Sequence, residues 1–286
     1  MPIDVEAALG HEFPETRFSW GEDDVILYAL GVGAGSDPTD PKELRYVYEG
    51  DLQVLPTYGT IPPFETMMSL GTVEGLEINL AQILHGEQEL EIHGPIPTSG
   101  TVVQTGKVAG IYDKRSGAVV VLEVTSVLEK TGEPLFTNRA SIFVRGEGGF
   151  GGESGPSTRI PPPDRDPDGV VESPTLPQQA LIYRLSSGDK NPLHADPGFA
   201  AFAGFERPIL HGLCTYGILC KAVVDHALDG DPGRVAAYRA RFSGHFFPGE
   251  TLVTSMWEED ERIIVRGECK ERGTTVVSDA AVTVRT

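Results

Sequence analysis

The fold is indicated most clearly by one apolar stretch, which reads Leu213-Cys214-Thr215-Tyr216-Gly217-Ile218-Leu219-Cys220-Lys221-Ala222-Val223-Val224-Asp225-His226-Ala227-Leu228. Its length, and its apolar character around much of the helical circumference, predict a helix buried against a sheet. Residues 251–257, 262–268 and 274–285 follow it; they are rich in Val, Ile and Thr and partly alternate with polar residues, which predicts strands. One buried helix followed by antiparallel strands indicates an α+β unit.

The first half of the chain repeats this order of segments. Residues 101–112, 118–128 and 134–145 show the same strand pattern. Farther upstream, the segment Tyr28–Ala34 aligns with Tyr183–Asp189, each residue lying 155 positions before its counterpart. We therefore predict two copies of one unit, whose sheets can join edge to edge and so protect strands that a single unit would expose.

A stretch of unusual composition separates the two copies. Glycine dominates residues 146–152, and Pro161-Pro162-Pro163 lies farther along. Such a segment cannot sustain a helix or a central strand, so residues 146–174 are predicted to be a linker between an N-terminal unit (1–145) and a C-terminal unit (175–286). A phosphate-binding loop is disfavoured, because no Lys-Ser/Thr follows the glycines.

The composition restricts the classes of function. The 286 residues include 23 Lys and Arg against 42 Asp and Glu, a net charge of −19, which disfavours binding to nucleic acids or to anionic membrane surfaces. The first residues lack the features of a signal peptide, and no run of about 18 apolar residues predicts a membrane span. The three cysteines form no CxxC pair, which indicates buried, reduced thiols in a cytoplasmic protein, with neither a disulfide framework nor a zinc site.

The chemistry is predicted to lie in the segment Gly188-Asp189-Lys190-Asn191-Pro192-Leu193-His194. Gly188 and Pro192 favour a turn over a continued helix, and on a turn the Asp189 carboxylate and the His194 imidazole can converge on one small molecule. Such a pair suits the activation of water, and the Asn191 amide could hold either side chain or the substrate. The alternative is a turn without chemistry, because Asp, Asn and Gly are turn residues in their own right.

A second candidate site lies where the apolar helix is expected to begin, at Gly212. Helix N-termini present unpaired N–H groups, and glycine lets a ligand atom approach its backbone closely. Gly212 could therefore serve as the oxyanion hole for a thioester enolate. Two alternatives involve no chemistry here. Gly212 would serve only as the N-cap of the helix, and the neighbouring His211 would have a structural role.

Three separated segments resemble one family. These are Tyr183–Ala200, reading YRLSSGDKNPLHADPGFA, then Arg207–Leu213, and then Arg239–Thr251. They resemble the MaoC-like (R)-specific enoyl-CoA hydratases, also called hydratase 2, in a two-repeat form. The resemblance implies a double hotdog fold with two repeats, each a long buried helix against an antiparallel sheet. It also implies a hydro-lyase that converts trans-2-enoyl-CoA to (3R)-3-hydroxyacyl-CoA, reversibly, in the β-oxidation of fatty acids or steroid side chains, without a metal or other cofactor.

Carried over by position, the resemblance assigns Asp189 and His194 to binding and activating the water, and Asn191 to supporting them. The Gly212 N–H would polarise the thioester carbonyl. Which member of the pair takes the proton stays open. In the first half Ala34 and Thr39 occupy the corresponding positions, so one active site per chain is predicted. The N-terminal half would shape an acyl tunnel, with candidate lining residues Leu55, Ile61, Pro62, Phe64, Met67, Met68 and Leu70, although for any single one of these ordinary core is the better interpretation.

Binding of the acyl-CoA substrate requires cations against the acidic average. The candidate substrate-binding residues are Arg241, which we favour, with Lys190, Arg184 and Arg207; the alternative for each is a solvated surface charge. A homodimer is plausible by resemblance. Three other functions stay open: a hotdog acyl-CoA thioesterase, a dehydratase acting on carrier-protein thioesters, and a non-catalytic acyl-CoA-binding subunit. The acyl group is not predicted.

Overall fold

The strands form one continuous antiparallel sheet. A computed structural model describes residues 3–78 and 83–285, and within these ranges ten strands pair in the order β1-β3-β4-β5-β2-β7-β10-β9-β8-β6. The first half contributes one side of this sheet and the second half the other. The strands are β1 Thr16–Trp20, β2 Ile83–Ile92, β3 Gly100–Asp113, β4 Gly117–Leu128, β5 Pro134–Arg145, β6 Gly169–Pro174, β7 Val235–Phe242, β8 Thr251–Glu258, β9 Arg262–Cys269 and β10 Thr274–Val284.

The two halves join where β2 pairs with β7. In this register Glu87 lies opposite Arg241, and Glu89 lies opposite Arg239. The Glu87 carboxylate accepts hydrogen bonds from Arg239 at 2.8 Å and from Arg241 at 2.7 Å. Burial raises the pKa of Glu87, but the hydrogen bonds from Thr158 and the two arginines outweigh burial and hold that pKa below its ordinary value. The predicted edge-to-edge junction is therefore confirmed.

The long apolar helix lies against the second half of this sheet. It is α7, Gly212–Ala227, in agreement with the prediction for residues 213–228. The Tyr216 ring stacks on the Tyr238 ring of β7 at 4.0 Å between centroids, and its hydroxyl donates to the Tyr238 carbonyl at 2.7 Å. The other helices are α1 Val5–Ala8, α2 Glu22–Gly31, α3 Pro41–Leu44, α4 Phe64–Met68, α5 Gln179–Ser187 and α6 Pro197–Phe202.

The repeated segment forms a pair of packed helices, α2 and α5. Their equivalent rings, Tyr28 and Tyr183, contact each other at 6.1 Å between centroids. The chain leaves each helix through an equivalent glycine with positive φ: Gly33 at 85° and Gly188 at 73°. Glycine is favoured there because a side chain would strain the left-handed backbone. The repeat predicted from the sequence is thus visible in the backbone.

The repeats differ in one respect from the expectation that each contains a long buried helix. The expectation is wrong for the first half: in the described part, the segment preceding β2 contains only short pieces, with 3₁₀ turns at Pro56–Thr60 and Ser69–Thr72 flanking α4. Closely spaced prolines, including Pro62 and Pro63, interrupt helical hydrogen bonding. The first half therefore fills the corresponding space with irregular structure.

The predicted linker also needs a correction. Residues 169–174, assigned to it, form β6, which pairs with β8. Proline is tolerated there because β6 lies at the edge of the sheet. All three cysteines are buried and unpaired, as predicted. Within residues 3–78 and 83–285, none of the helices combines the length and the apolarity needed to span a bilayer.

Candidate active site

The turn predicted between α5 and α7 is present, and local hydrogen bonds hold its shape. Gly188 ends α5 in the left-handed conformation. The Asp189 carboxylate accepts the Asn191 N–H at 2.9 Å, and the Asn191 side-chain oxygen accepts the Leu193 N–H at 3.0 Å. Asn191 therefore caps the short 3₁₀ turn Pro192–His194, so its side chain positions His194 through the backbone.

Asp189 and His194 face each other across a short gap. The distance from His194 Nε2 to the nearer Asp189 carboxylate oxygen is 4.0 Å, too long for a direct hydrogen bond. His194 Nδ1 lies 2.9 Å from the Ile209 carbonyl oxygen, which can only accept, so Nδ1 carries the proton and Nε2 has the lone pair. Burial lowers the pKa of His194 and keeps its imidazole neutral near pH 7. The lone pair facing Asp189 can therefore accept a proton.

The helix N-terminus lies beside this pair. Gly212 is the first residue of α7, so its N–H has no intrahelical acceptor. His211 is the N-cap residue, so the alternative in which Gly212 serves as the cap is wrong. A Cβ at Gly212 would lie 3.3 Å from the Phe242 ring, so any larger residue would have to displace that ring slightly.

His211 belongs to the site, although its position before the helix is no reason to prefer that role to a structural one. Its ring stacks on the His194 ring with 3.7 Å between centroids and 27° between planes. Donor atoms of Asp189, His194 and His211 all lie within 4.8 Å of one another, the proximity that a metal site requires. Because the two rings are nearly parallel, however, their in-plane lone pairs do not converge on one point, and the arrangement suits a stacked pair better than a chelate.

A further histidine reaches the site from the first half. His85 on β2 packs edge-on against Phe242 with 5.1 Å between centroids. Its Nε2 is buried and has no hydrogen-bond partner among the residues that the structure describes, and burial lowers the pKa of His85 to about 4. This histidine was not predicted from the sequence, because no local motif marks it; only the pairing of β2 with β7 brings it to Phe242.

The predicted cations do not all lie at the site. Arg184 and Lys190 border the turn at residues 188–194 and bind each other's backbone carbonyls. Arg207 is half-exposed and lies over the Phe247 ring at 4.5 Å. The prediction that Arg241 binds the substrate needs a correction. Arg241 alternates with Phe242 along β7, so it projects from the face of the sheet opposite to the helix, where it pairs with Glu87.

The first half lacks the acid–base pair. Ala34 is buried in the core, and Thr39 donates to Asp37 in an exposed turn. Among the candidate tunnel residues, Phe64 approaches Gly188 of the turn at residues 188–194, 4.0 Å from where a Cβ would lie. Leu55, Ile61 and Leu70 are ordinary core, whereas Met68 is exposed. Two cavities of about 310 and 260 Å³ lie elsewhere and are lined by none of the predicted catalytic or cationic residues.

Comparisons with known proteins agree with this architecture. Residues 18–146 match the MFE-2 hydratase 2 N-terminal domain, and residues 159–280 match the MaoC-like domain. An enoyl-CoA hydratase of Mycobacterium tuberculosis, ChsH3, is 48% identical over 97% of this chain and 97% of its own. The structure of a MaoC-like dehydratase from Phytophthora capsici superposes with a TM-score of 0.88 at 32% identity, covering 99% of this chain and 98% of that chain.

The fold itself is confirmed by a more distant structure. A Mycobacterium tuberculosis protein described as a double hotdog superposes with a TM-score of 0.58 at 14% identity, over 98% of this chain and 96% of that chain. The predicted double hotdog is therefore correct in architecture, with the irregular first half as its departure. From the full-length similarity and the two matched domains, the chain belongs to the hydratase 2 family of MaoC-like proteins.

Proposed function

We propose that this protein hydrates trans-2-enoyl-CoA to (3R)-3-hydroxyacyl-CoA, reversibly, in the β-oxidation of fatty acids or steroid side chains. The observation that carries the proposal is the neutral His194, whose Nε2 lies 4.0 Å from the Asp189 carboxylate beside the start of α7. The name of the similar enoyl-CoA hydratase from Mycobacterium tuberculosis supports the same reaction class.

The pair can hold one water molecule between two acceptors. A water that donates one hydrogen to the Asp189 carboxylate and the other to His194 Nε2 has both hydrogens engaged, so its oxygen lone pairs point toward the substrate. As that oxygen bonds to C3, one of the two side chains takes a proton. The same proton then adds to C2, so the elements of water are added without a change in oxidation state.

Charge moves onto the thioester oxygen during this step. Addition at C3 converts the conjugated carbonyl to an enolate, and the Gly212 N–H can donate a hydrogen bond to its oxygen. The positive end of the α7 dipole lies at the same place and favours negative charge. A single backbone donor removed from such a site typically costs about 100-fold or more in kcat.

One active site per chain is part of the proposal. Ala34 and Thr39 offer no acid or base at the equivalent place, and the irregular segment carrying Phe64 approaches the catalytic turn. We infer that the first half, residues 1–145, accommodates the acyl chain. The catalytic role is assigned to the second half, residues 175–286.

Hydration and thioester hydrolysis are separated by one assay. Purified protein with a trans-2-enoyl-CoA should lose the enoyl absorbance without releasing free thiol. Thiol release at the same rate would favour the thioesterase alternative. Coupling to dehydrogenases specific for (R)- or (S)-3-hydroxyacyl-CoA then tests the stereochemistry.

The residues are tested by matched carboxylate variants. Asp189→Asn and His194→Ala should each lower kcat by about 100-fold or more, because each removes one of the two side chains that can take a proton from the water. Asp37→Asn changes a carboxylate in the corresponding turn of the first half and should leave turnover unchanged. Unaltered turnover in Asp189→Asn would show that the chemistry lies elsewhere, or that the chain is a non-catalytic subunit.

The CoA phosphates are proposed to contact Arg184, Lys190 and Arg207 at the rim of the site. Arg207→Ala should raise KM for an enoyl-CoA severalfold and leave KM unchanged for the pantetheine thioester, which lacks the nucleotide phosphates. An equal rise for both substrates would remove Arg207 from phosphate binding. An acidic surface is also unfavourable for docking an acidic carrier protein, so a CoA thioester is the proposed substrate.

The remaining proposals concern the setting of the enzyme. We propose that turnover needs no metal or other cofactor, so that prolonged dialysis against a chelator should leave kcat unchanged. A homodimer and a cytoplasmic location are likewise proposed. Light scattering of the purified protein and fractionation of the source cells test these two points.

A further inference from the structure

His211 is a buried neighbour of the catalytic histidine, and no step of the proposed reaction uses it. We propose that His211 is a positioning residue, whose ring fixes the plane of the His194 imidazole and excludes water from its face. This inference rests on the proposed function. It explains how the same site keeps the His194 imidazole oriented and uncharged.

The stacking geometry supplies a constraint that hydrogen bonding does not. The bond from His194 Nδ1 to the Ile209 carbonyl fixes one end of the ring, but the ring can still tilt about the axis of that bond. A second ring 3.7 Å away and 27° from parallel blocks this motion on one side. Nε2 is thereby kept aimed at the Asp189 carboxylate, 4.0 Å away.

The surroundings hold His211 itself in place. As the N-cap of α7, it accepts the Cys214 and Thr215 N–H groups at its carbonyl, at 3.1 and 3.2 Å. The Tyr183 ring packs against it at 5.0 Å between centroids. Its Nε2 lies 3.4 Å from the Asp189 carbonyl oxygen, while its Nδ1 is buried without a partner. The ring is therefore fixed between α5 and the catalytic turn by packing more than by hydrogen bonds.

The charges around the two rings favour neutral histidines. Burial, and then the neighbouring His194, lower the pKa of His211 to about 2, so it carries no charge when His194 titrates. Arg184 also faces both rings and Lys190 faces His211, and both cations disfavour an imidazolium, whereas Asp189 favours one. Burial is the largest cause of the lowered pKa of His194, and the ring of His211 provides part of that burial.

Removing the ring should therefore have two effects. His211→Ala admits water beside His194, which raises the pKa of His194 and moves the acid limb of the kcat/KM profile to higher pH, by about one unit. The freed imidazole also loses its alignment, so kcat should fall about tenfold with little change in KM. His211→Phe keeps a flat buried ring without nitrogen atoms and should restore most of kcat and the wild-type limb.

The experiment measures kcat, KM and the pH profile for the wild type, His211→Ala, His211→Phe and the control His226→Ala, an exposed histidine near the other end of α7. In a His194→Ala background, His211→Ala should cause no further loss if it acts only through His194. If His211→Phe is as impaired as His211→Ala, the nitrogen atoms are required and a positioning role is wrong. Wild-type kinetics in His211→Ala would also overturn the proposal.

Titration of the His194 ring signals by NMR gives a reading that does not depend on turnover. The pKa of His194 should rise in His211→Ala and stay near the wild-type value in His211→Phe, even if the substrate has been misidentified. If the alanine variant does not fold, His211→Asn, whose side chain is favourable at an N-cap, still leaves the face of the His194 ring open to water and should show the same rise. An unchanged His194 pKa in a folded variant without the ring refutes the inference, whereas failure of hydration alone refutes only the proposed function.

Discussion

Lys221 on α7 forms the most buried ion pair between the two halves, and its removal should be costly. Its ammonium group lies 2.7 Å from Glu43 and 2.9 Å from Asp225, with 12% of the Lys221 side chain exposed, against 17% for Glu43 and 28% for Asp225. Lys221→Met keeps most of the apolar stem but leaves two partly buried carboxylates without their cation. Breaking such a pair typically costs 3–5 kcal/mol; because both carboxylates keep some exposure, we expect a loss of about 3 kcal/mol.

The control for this perturbation is an exposed pair of the same chemistry. Lys270 lies 2.6 Å from Glu172, with 53% and 51% of the side chains exposed, so Lys270→Met should cost below about 1 kcal/mol. Urea denaturation followed by circular dichroism gives the free energy of unfolding of both variants. In the Lys221→Met background, Asp225→Asn should regain stability, because it removes an uncompensated charge. Equal losses for Lys221→Met and Lys270→Met would refute the reasoning.

Three further outcomes are expected from burial and close packing. The pKa of His85 is lowered to about 4 from an ordinary 6.5, so between these two pH values the unfolded chain binds more protons than the folded one. The free energy of unfolding should therefore fall by about 3 kcal/mol as the pH falls through this interval. Denaturation at several pH values tests this, and His85→Phe should weaken the dependence of the free energy of unfolding on pH. Gly217→Ala should lose about 1–3 kcal/mol, because its Cβ would lie 2.6 Å from Val32, whereas Gly94→Ala meets open space and should be neutral by the same measurement. A thiol reagent should label native protein slowly and label three thiols after denaturation, since all cysteines are buried; rapid native labelling would contradict this.

The repeat and the turn at residues 188–194 were predictable because both depend on local sequence. Glycine and proline, here Gly188 and Pro192, interrupt a helix through their own backbone properties. Hydrogen bonds between residues two positions apart then stabilise the turn that carries Asp189 and His194. The strands after each helix alternate clearly enough to be found. What these elements share is that their determinants lie within about ten residues of one another.

The junction strands were missed, although their pattern is regular. Along β2 the inward residues Gln88, Leu90 and Ile92 alternate with Glu87, Glu89 and Glu91. The acidic face suggests a solvated segment until its partner is known, and β7 carries the complementary Arg239 and Arg241 more than 150 positions later. Charge complementarity between two alternating segments was the available signal. The error at Arg241 has the same origin, because neighbouring residues of a strand project from opposite faces.

The role of His211 illustrates a different limit. A histidine before a helix predicts a cap or a core residue equally well, and only the tertiary fold brings its ring onto His194. His85 is more extreme, since it lies on the other half of the chain and reaches the site through Phe242. Side chains that support a site from distant segments leave no spacing to recognise.

Within the described residues the first half has neither an acid–base pair at Ala34 and Thr39 nor a long helix before β2, but it does contain α2, the counterpart of α5. Helix α2 packs on α5, and Gln179 of α5 donates to the Gly31 carbonyl at the end of α2, at 2.7 Å. The contact is close: a Cβ at Gly31 would lie 3.2 Å from the Tyr183 backbone. Because α5 leads directly into Gly188 and Asp189, and because Tyr183 packs on His211, α2 supports the turn at residues 188–194 through α5. The two halves therefore resemble each other where α2 supports α5, and they differ where the acyl chain is proposed to bind.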